Sequence, residues 1–297
     1  MGHLPKVIAI VGPTASGKTS LGIYLAQKLK GEVISADSRQ VYTGLDIGTG
    51  KATKKEMAGV PHHMLDVVSP KKIYSNSDYT RDATRALEDV IQKEKIPIVV
   101  GGTGYYIDSL LGRLVLPDVP PNEKLRARLE KKSPEQLFAL LQTKDPVRAA
   151  NIEPHHKRRL IRALEIADAL GASPSKHPVD QTYQVLWIGI SPDEKTLSKN
   201  IHSRLLTRIK LGMVAEARRL HAKGLSYKRM DALGLEYRYL SLLLQKKVTD
   251  AEFLESLERA IVHYAKNQKR WFARNLEIRW VKNKTEALRL AKEFAKS

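Results

Sequence analysis

The chain has 297 residues, 42% of them hydrophobic, which is enough for one large or two smaller domains with a real core. It has no cysteine, which excludes disulfides, thiolate zinc sites and cysteine nucleophiles. No stretch approaches the ~18 apolar residues of a membrane span, and the formal net charge is +19, from 51 basic and 32 acidic side chains.

Met1 to Lys6 leads straight into the apolar run Val7-Ile8-Ala9-Ile10-Val11, leaving no room for a signal peptide, so a cytoplasmic protein is expected. Residues 6–11 read as a strand. Directly after it stands Gly12-Pro13-Thr14-Ala15-Ser16-Gly17-Lys18-Thr19, a complete phosphate-binding loop between a strand and a helix. Glycines at 12 and 17 let the backbone turn its N–H groups inward, and the next helix adds its N-terminus. Lys18 puts a point charge on the phosphates, and the Thr19 hydroxyl is the expected Mg²⁺ ligand. Leu21, Leu25 and Leu29 then repeat at helical spacing, predicting a helix over about 17–30.

Residues 32–36 predict a short strand ending at Asp37. Residues 77–94 predict a helix with Ala83, Leu87 and Ile91 on one face. Ile96-Pro97-Ile98-Val99-Val100 reads as a buried strand that closes on Gly101-Gly102-Thr103-Gly104. Alternating strands and helices with apolar strands predict an α/β fold: a P-loop NTPase-like parallel sheet covered on both faces. Ligands lie beyond the C-terminal strand ends of such sheets, so the phosphate loop, Asp37 and Thr103 should converge on one crevice. Asp37 is open to two readings, a base acting on an acceptor or a turn and helix-cap residue. Thr103 also stands where a helix N-cap would.

Residues 114–122 are proline-rich and break the pattern. The charged stretch from about 123 to 180 reads as helical, without a strand. The strand pattern returns at 183–190, and 194–297 is again helical. This predicts a catalytic core from 1–115 and 183–297, with an inserted all-helical subdomain at 116–182 and a helical C-terminal region. The charge is uneven. Residues 200–297 carry 22 basic and 10 acidic side chains, whereas 1–112 carry 14 and 11. Such a surplus suits a polyanion better than a small phosphorylated substrate. His62 and His63 lack a third ligand at useful spacing, so they are expected to pack or hydrogen-bond near the crevice rather than hold a metal.

The ordered set of motifs resembles the tRNA dimethylallyltransferase (tRNA isopentenyltransferase) family. The phosphate loop is followed by Asp37-Ser38-Arg39-Gln40-Val41-Tyr42, Asp46-Ile47-Gly48-Thr49-Gly50-Lys51 and Pro61-His62-His63-Met64-Leu65-Asp66. Gly101-Gly102-Thr103-Gly104-Tyr105-Tyr106, the run Arg158 to Glu165, and Tyr264-Ala265-Lys266 with Trp271-Phe272 complete it. The resemblance implies transfer of a dimethylallyl group from its diphosphate to N6 of the tRNA adenosine on the 3′ side of the anticodon, with Mg²⁺ as cofactor.

By resemblance, Asp37 is the base, Thr103 contacts the reacting centre, and Lys18 stabilises the leaving diphosphate. Asp37, Ser38, Arg39, Gln40 and Thr103 would face the target nucleotide. Arg126 and the segment Arg158, Arg159, Leu160, Ile161 and Arg162 would touch the tRNA anticodon stem-loop. The base must be flipped out to reach the crevice. Lys266, Arg270 and Arg274 form a basic stripe at helical spacing, and Trp271 and Phe272 read first as core anchors. Val262, Asn267 and Leu235 depart from the family pattern, which has arginines at the first two and a tyrosine at the third. A nucleotide kinase and a nucleotide-switch RNA-binding protein are the competing readings. A switch should carry an Asp after strand 96–100, and none is there. A monomer is the default expectation.

Overall fold

The structure is a computed structural model and describes residues 4–171 and 182–297. Among these residues six strands form: β1 (Lys6–Val11), β2 (Glu32–Ser35), β3 (His62–His63), β4 (Pro97–Gly101), β5 (Gln184–Gly189) and β6 (Arg279–Trp280). They make one sheet in the order β3-β2-β4-β1-β5-β6, and every pairing is parallel. The expected α/β architecture is therefore the observed one.

Side chains alternate across the sheet with period two. Val7, Ala9 and Val11 of β1 enter one core cluster, while Ile8 and Ile10 enter the other. Four helices accompany the first four strands: α1 (Lys18–Leu29), α2 (Lys54–Met57), α3 (Asn76–Gln92) and α4 (Gly104–Leu110). Tyr79, Ala83 and Leu87 of α3 and Ile107 of α4 pack on the first face, and Leu21, Ile23 and Leu25 of α1 on the second. In α3 the fourth fully buried residue is Val90 rather than the expected Ile91, because a step of three keeps the stripe aligned with a helix of 3.6 residues per turn.

Two compact units divide the chain, one of Met1–Leu114 with Gln181–Ser297 and one of Val115–Asp180. The smaller unit contains α5 (Glu123–Leu129), α6 (Pro134–Lys144), α7 (Pro146–Ala149) and α8 (Lys157–Leu170). Leu125, Leu129, Leu137, Leu141, Leu160 and Leu164 make its core. Ser133 opens α6 with a capping box to Gln136, and Pro134 occupies the first turn.

The larger unit closes with α9 (Glu194–Lys210), α10 (Met213–Ala222), α11 (Tyr227–Ala232), α12 (Leu235–Leu244), α13 (Asp250–Phe272) and α14 (Lys284–Lys296). Leu205 of α9, Leu240 of α12 and Leu257 of α13 join the first face, and Ala287, Leu290 and Ala291 of α14 the second. β3 and β6 were not expected. Each has two residues at a sheet edge, too short to show an alternation. Among the described residues no helix is long and apolar enough to cross a membrane.

Candidate active site

β1, β4 and β2 end side by side, and their C-terminal loops line one crevice. The loop after β1 needs glycine at position 12. Its φ is +149°, and an added Cβ would stand 2.2 Å from the Ile190 carbonyl oxygen beyond β5. Ser16 Oγ is buried there without a protein partner. Lys18 Nζ donates to the Pro13 carbonyl at 2.6 Å. Burial, and then the Arg204 guanidinium, push the Lys18 ammonium down to about 7, against the pull of Asp37. Thr19 lines the crevice beside it. A loop that strains to keep its lysine charged, and holds an unpartnered hydroxyl, is built to receive an anion.

Asp37 follows β2. Its Oδ1 accepts from the backbone N–H of Arg39 at 2.8 Å and of Gln40 at 3.4 Å. The carboxylate therefore fixes its own turn through one oxygen and lines the crevice. Both readings of Asp37 are compatible with this geometry. Gln40 reaches back to Ser35 Oγ at 3.3 Å and to the Gly50 carbonyl at 3.5 Å. Thr103 occupies the N-cap position of α4, yet its hydroxyl makes no cap bond. It accepts instead from the Ser38 N–H at 3.1 Å. Tyr264 lines the same crevice, its hydroxyl raised to about 12 by burial and then by Asp37.

Several residues at the crevice went unnoticed in the sequence. Arg204 and Arg208 of α9 both line it. Arg208 donates to the carbonyls of Gly48 and Thr49, each at 3.2 Å, and to Glu236 at 3.3 Å. Arg204 donates to the Gly50 carbonyl at 3.2 Å. Burial, and then Arg208, lower Arg204 to about 10. The available signal was two arginines at i, i+4 next to the buried Ile201 and Leu205, a charged pair on an apolar face.

Glu216 of α10 is 1% exposed. It accepts from the N–H groups of Asp46, Ile47 and Gly48 and from the Tyr237 hydroxyl at 2.6 Å. The Asp46 to Lys51 motif is thus a loop whose amides are held by one carboxylate and whose carbonyls are held by two arginines.

His62 and His63 correct an expectation of place. They do hydrogen-bond, His62 Nδ1 with the Val60 carbonyl and His63 Nε2 with Glu32 Oε2, at 2.8 and 2.7 Å. But β3 is the sheet edge, and Glu32 begins β2 at the end opposite Asp37. Neither histidine lines the crevice.

In the smaller unit the predicted residues divide. Arg126 and Arg162 grip Glu165, whose side chain is 1% exposed, with contacts of 2.7 to 3.0 Å. Leu160 and Ile161 are core residues. Arg158 and Arg159 are exposed. In the larger unit Lys266 and Arg270 are exposed along α13, and Arg274 is exposed just past its end. Trp271 is an anchor, its Nε1 donating to Asp108 at 2.9 Å. Phe272 is buried.

The comparisons with known proteins agree with this geometry. A family model described as IPP transferase matches residues 40–275. A tRNA dimethylallyltransferase of Treponema denticola is 40% identical over 92% of this chain and 95% of its own. One of Anoxybacillus flavithermus is 37% identical over 93% and 89%. Among solved structures, a tRNA isopentenylpyrophosphate transferase of Bacillus halodurans superposes with a TM-score of 0.74 at 33% identity, covering 98% of each chain. A eukaryotic dimethylallyltransferase solved acting on tRNA gives 0.77 at 26% identity, over 90% of this chain and 70% of that one.

Proposed function

The chain belongs to the IPP transferase family of tRNA dimethylallyltransferases, and from that premise we propose how its crevice carries out prenyl transfer to tRNA. The donor is dimethylallyl diphosphate, and the acceptor is N6 of the adenosine 3′-adjacent to the anticodon. The observation that carries this reading is the shared crevice itself. A phosphate loop at the tip of β1 shares the crevice with a carboxylate and a hydroxyl at the tips of β2 and β4, and residues 101–107 after β4 hold no carboxylate to support a hydrolytic metal site.

The chemistry follows from charge. The N6 lone pair attacks the allylic carbon as its C–O bond breaks, and the bonding electrons leave with the diphosphate. Asp37 takes the N6 proton. Lys18, the loop amides and Ser16 stabilise the negative charge as it develops on the leaving oxygen. Arg204 and Arg208, which line the same crevice from α9, add two cations, and binding of the diphosphate restores the full charge of Lys18. Thr103 and Ser38 hold the acceptor turn at fixed distance from the loop.

The donor set suits Mg²⁺. Thr19 offers one hard oxygen, and this ion takes few protein ligands when substrate phosphates supply the rest. When bound, it neutralises diphosphate charge. The exposed Arg158, Arg159, Lys266, Arg270 and Arg274 are the side chains proposed to meet the tRNA backbone.

The test is direct. Incubation with dimethylallyl diphosphate, Mg²⁺ and unmodified tRNA should add one C₅H₈ unit to a single adenosine, read by mass spectrometry of the digested tRNA. ATP turnover without that gain would instead support a kinase.

A further inference from the structure

We propose that Glu216 is a positioning residue for the transfer, acting through one turn of backbone at residues 46–50 that holds Arg208 at the crevice; this rests on the reading of Arg208 as a cation for the leaving diphosphate. The turn closes on itself. The Gly50 N–H donates to the Ile47 carbonyl at 3.1 Å, and the Lys51 N–H to the Asp46 carbonyl at 3.0 Å. A single turn leaves its first N–H groups and its last carbonyls without partners inside it. Glu216 takes the first set. Its Oε2 accepts from the N–H groups of Asp46 and Ile47 at 3.1 and 2.8 Å, and its Oε1 from that of Gly48 at 2.9 Å. Arg208 takes the second set, donating from Nη1 to the Gly48 carbonyl and from Nη2 to the Thr49 carbonyl.

An unbroken chain of hydrogen bonds therefore runs from carboxylate to guanidinium. Arg208 Nη2 donates to the Thr49 carbonyl at 3.2 Å. The N–H of that same peptide group, on Gly50, donates to the Ile47 carbonyl at 3.1 Å. The N–H of the next group, on Gly48, donates to Glu216 at 2.9 Å. Both end charges are buried. An anion at the amide end and a cation at the carbonyl end favour the same direction of the peptide dipoles. Away from water each bond polarises the next, so the charge on Glu216 strengthens the grip on Arg208. The turn and the guanidinium are in close contact. Gly50 has a φ of +62°, and a Cβ there would stand 2.1 Å from Arg208 Nη2.

The hold fixes Arg208 before any substrate arrives. Both of its terminal nitrogens are tied to backbone, and Nη1 also meets Glu236 at 3.3 Å. Its Nε is buried without a protein partner. A cation placed in advance needs no reorganisation when charge develops on the leaving group. Glu216 does not line the crevice, whereas Thr49 and Arg208 do. It reaches the reaction only through the turn.

A double-mutant cycle on the affinity for inorganic pyrophosphate, read by calorimetry on the intact chain, tests this coupling. Glu216→Gln keeps the size of the side chain but sets an N–H against the amides of the turn, and should weaken pyrophosphate about tenfold. Arg208→Lys cannot bridge two carbonyls and should weaken it by a similar factor. The double variant should bind at most about twofold more weakly than Arg208→Lys alone, because Glu216 then has nothing left to act on. Glu216→Asp keeps the charge, withdraws it by one methylene and should show the same coupling, which covers the case in which the glutamine variant fails to fold. Met213→Ala destabilises the same helix without removing any of these bonds, so it should lower the melting temperature and leave affinity unchanged. Losses that multiply to about a hundredfold in the double variant overturn the proposal, since independent effects add in free energy. Wild-type affinity in the folded Glu216 variants overturns it as well. A chain that shows the coupling yet prenylates no tRNA keeps the positioning role and removes the reading of the reaction.

Discussion

Ser38 donates its backbone N–H to the Thr103 hydroxyl at 3.1 Å, joining the turn after β2 to the turn after β4. The bond sets the separation of the proposed base from the proposed reacting centre. Thr103→Val removes the acceptor and leaves a half-buried N–H unpaired, a loss of about 1 kcal/mol. It should slow transfer by roughly tenfold. Thr103→Ser keeps the oxygen and should stay near wild type. Single-turnover rates on unmodified tRNA distinguish the two, and equal rates would remove the role.

Asp37→Asn preserves the Oδ1 acceptor that holds Arg39 and Gln40, so the turn should survive. It removes the base. The expected result is a fall in kcat of ~10²–10⁴ with pyrophosphate affinity unchanged. Retained turnover would assign Asp37 to the turn alone.

Lys18 predicts a pH dependence. Its folded value of about 7 lies below the ordinary 10.5, so across that window the folded chain holds fewer protons here than the unfolded chain, and stability rises with pH. Diphosphate favours the charged form, so binding at about pH 8 should take up a proton at Lys18. Calorimetry in buffers of different ionisation enthalpy reads that uptake. Lys18→Arg, charged throughout, should lack this component.

The two arginine pairs of the smaller unit should respond differently. Burial acts to raise the Glu165 carboxyl, but donors from Arg126, Asn122 and Arg162 outweigh it and hold the group below its usual range. This stability is present above the ordinary 4.5 and is lost as pH falls toward the depressed value. Glu165→Gln should cost about 1–3 kcal/mol near neutrality and flatten the acid limb of the melting curve. Arg158→Ala and Arg159→Ala should leave melting unchanged and each lower the salt slope of tRNA binding by ~1.

The sequence was most legible where function sits on a strand tip. The phosphate loop, Asp37 and Thr103 could be placed because each follows a run of apolar residues that cannot be anything but buried strand. Arg208 and Glu216 could not, since their partners at Gly48 lie 160 and 168 residues away and no local pattern announces the pairing. Gln268 lies between Lys266 and Trp271, and nothing local to it points to its partner Thr14, 254 residues away. In the run from Arg158 to Arg162 the motif treats five residues alike, and only the packing divides them. Leu160 and Ile161 face the core that Leu125 and Leu137 share, Arg162 turns onto Glu165, and Arg158 and Arg159 stay exposed.

β4 stands between β1 and β2, and its last residue is Gly101, where a Cβ would lie 2.1 Å from the Ala36 carbonyl oxygen. The phosphate loop and Asp37, the proposed base, therefore follow strands two spacings apart, about 9–10 Å. The sheet acts as a ruler. Its middle strand ends in a glycine because the Ala36 backbone leaves no room for a Cβ, and the spacing suits the proposed arrangement of a leaving group on one side, a flat base on the other and a short branched chain between them. Widening the donor should strain this spacing before it exhausts the binding energy of the loop.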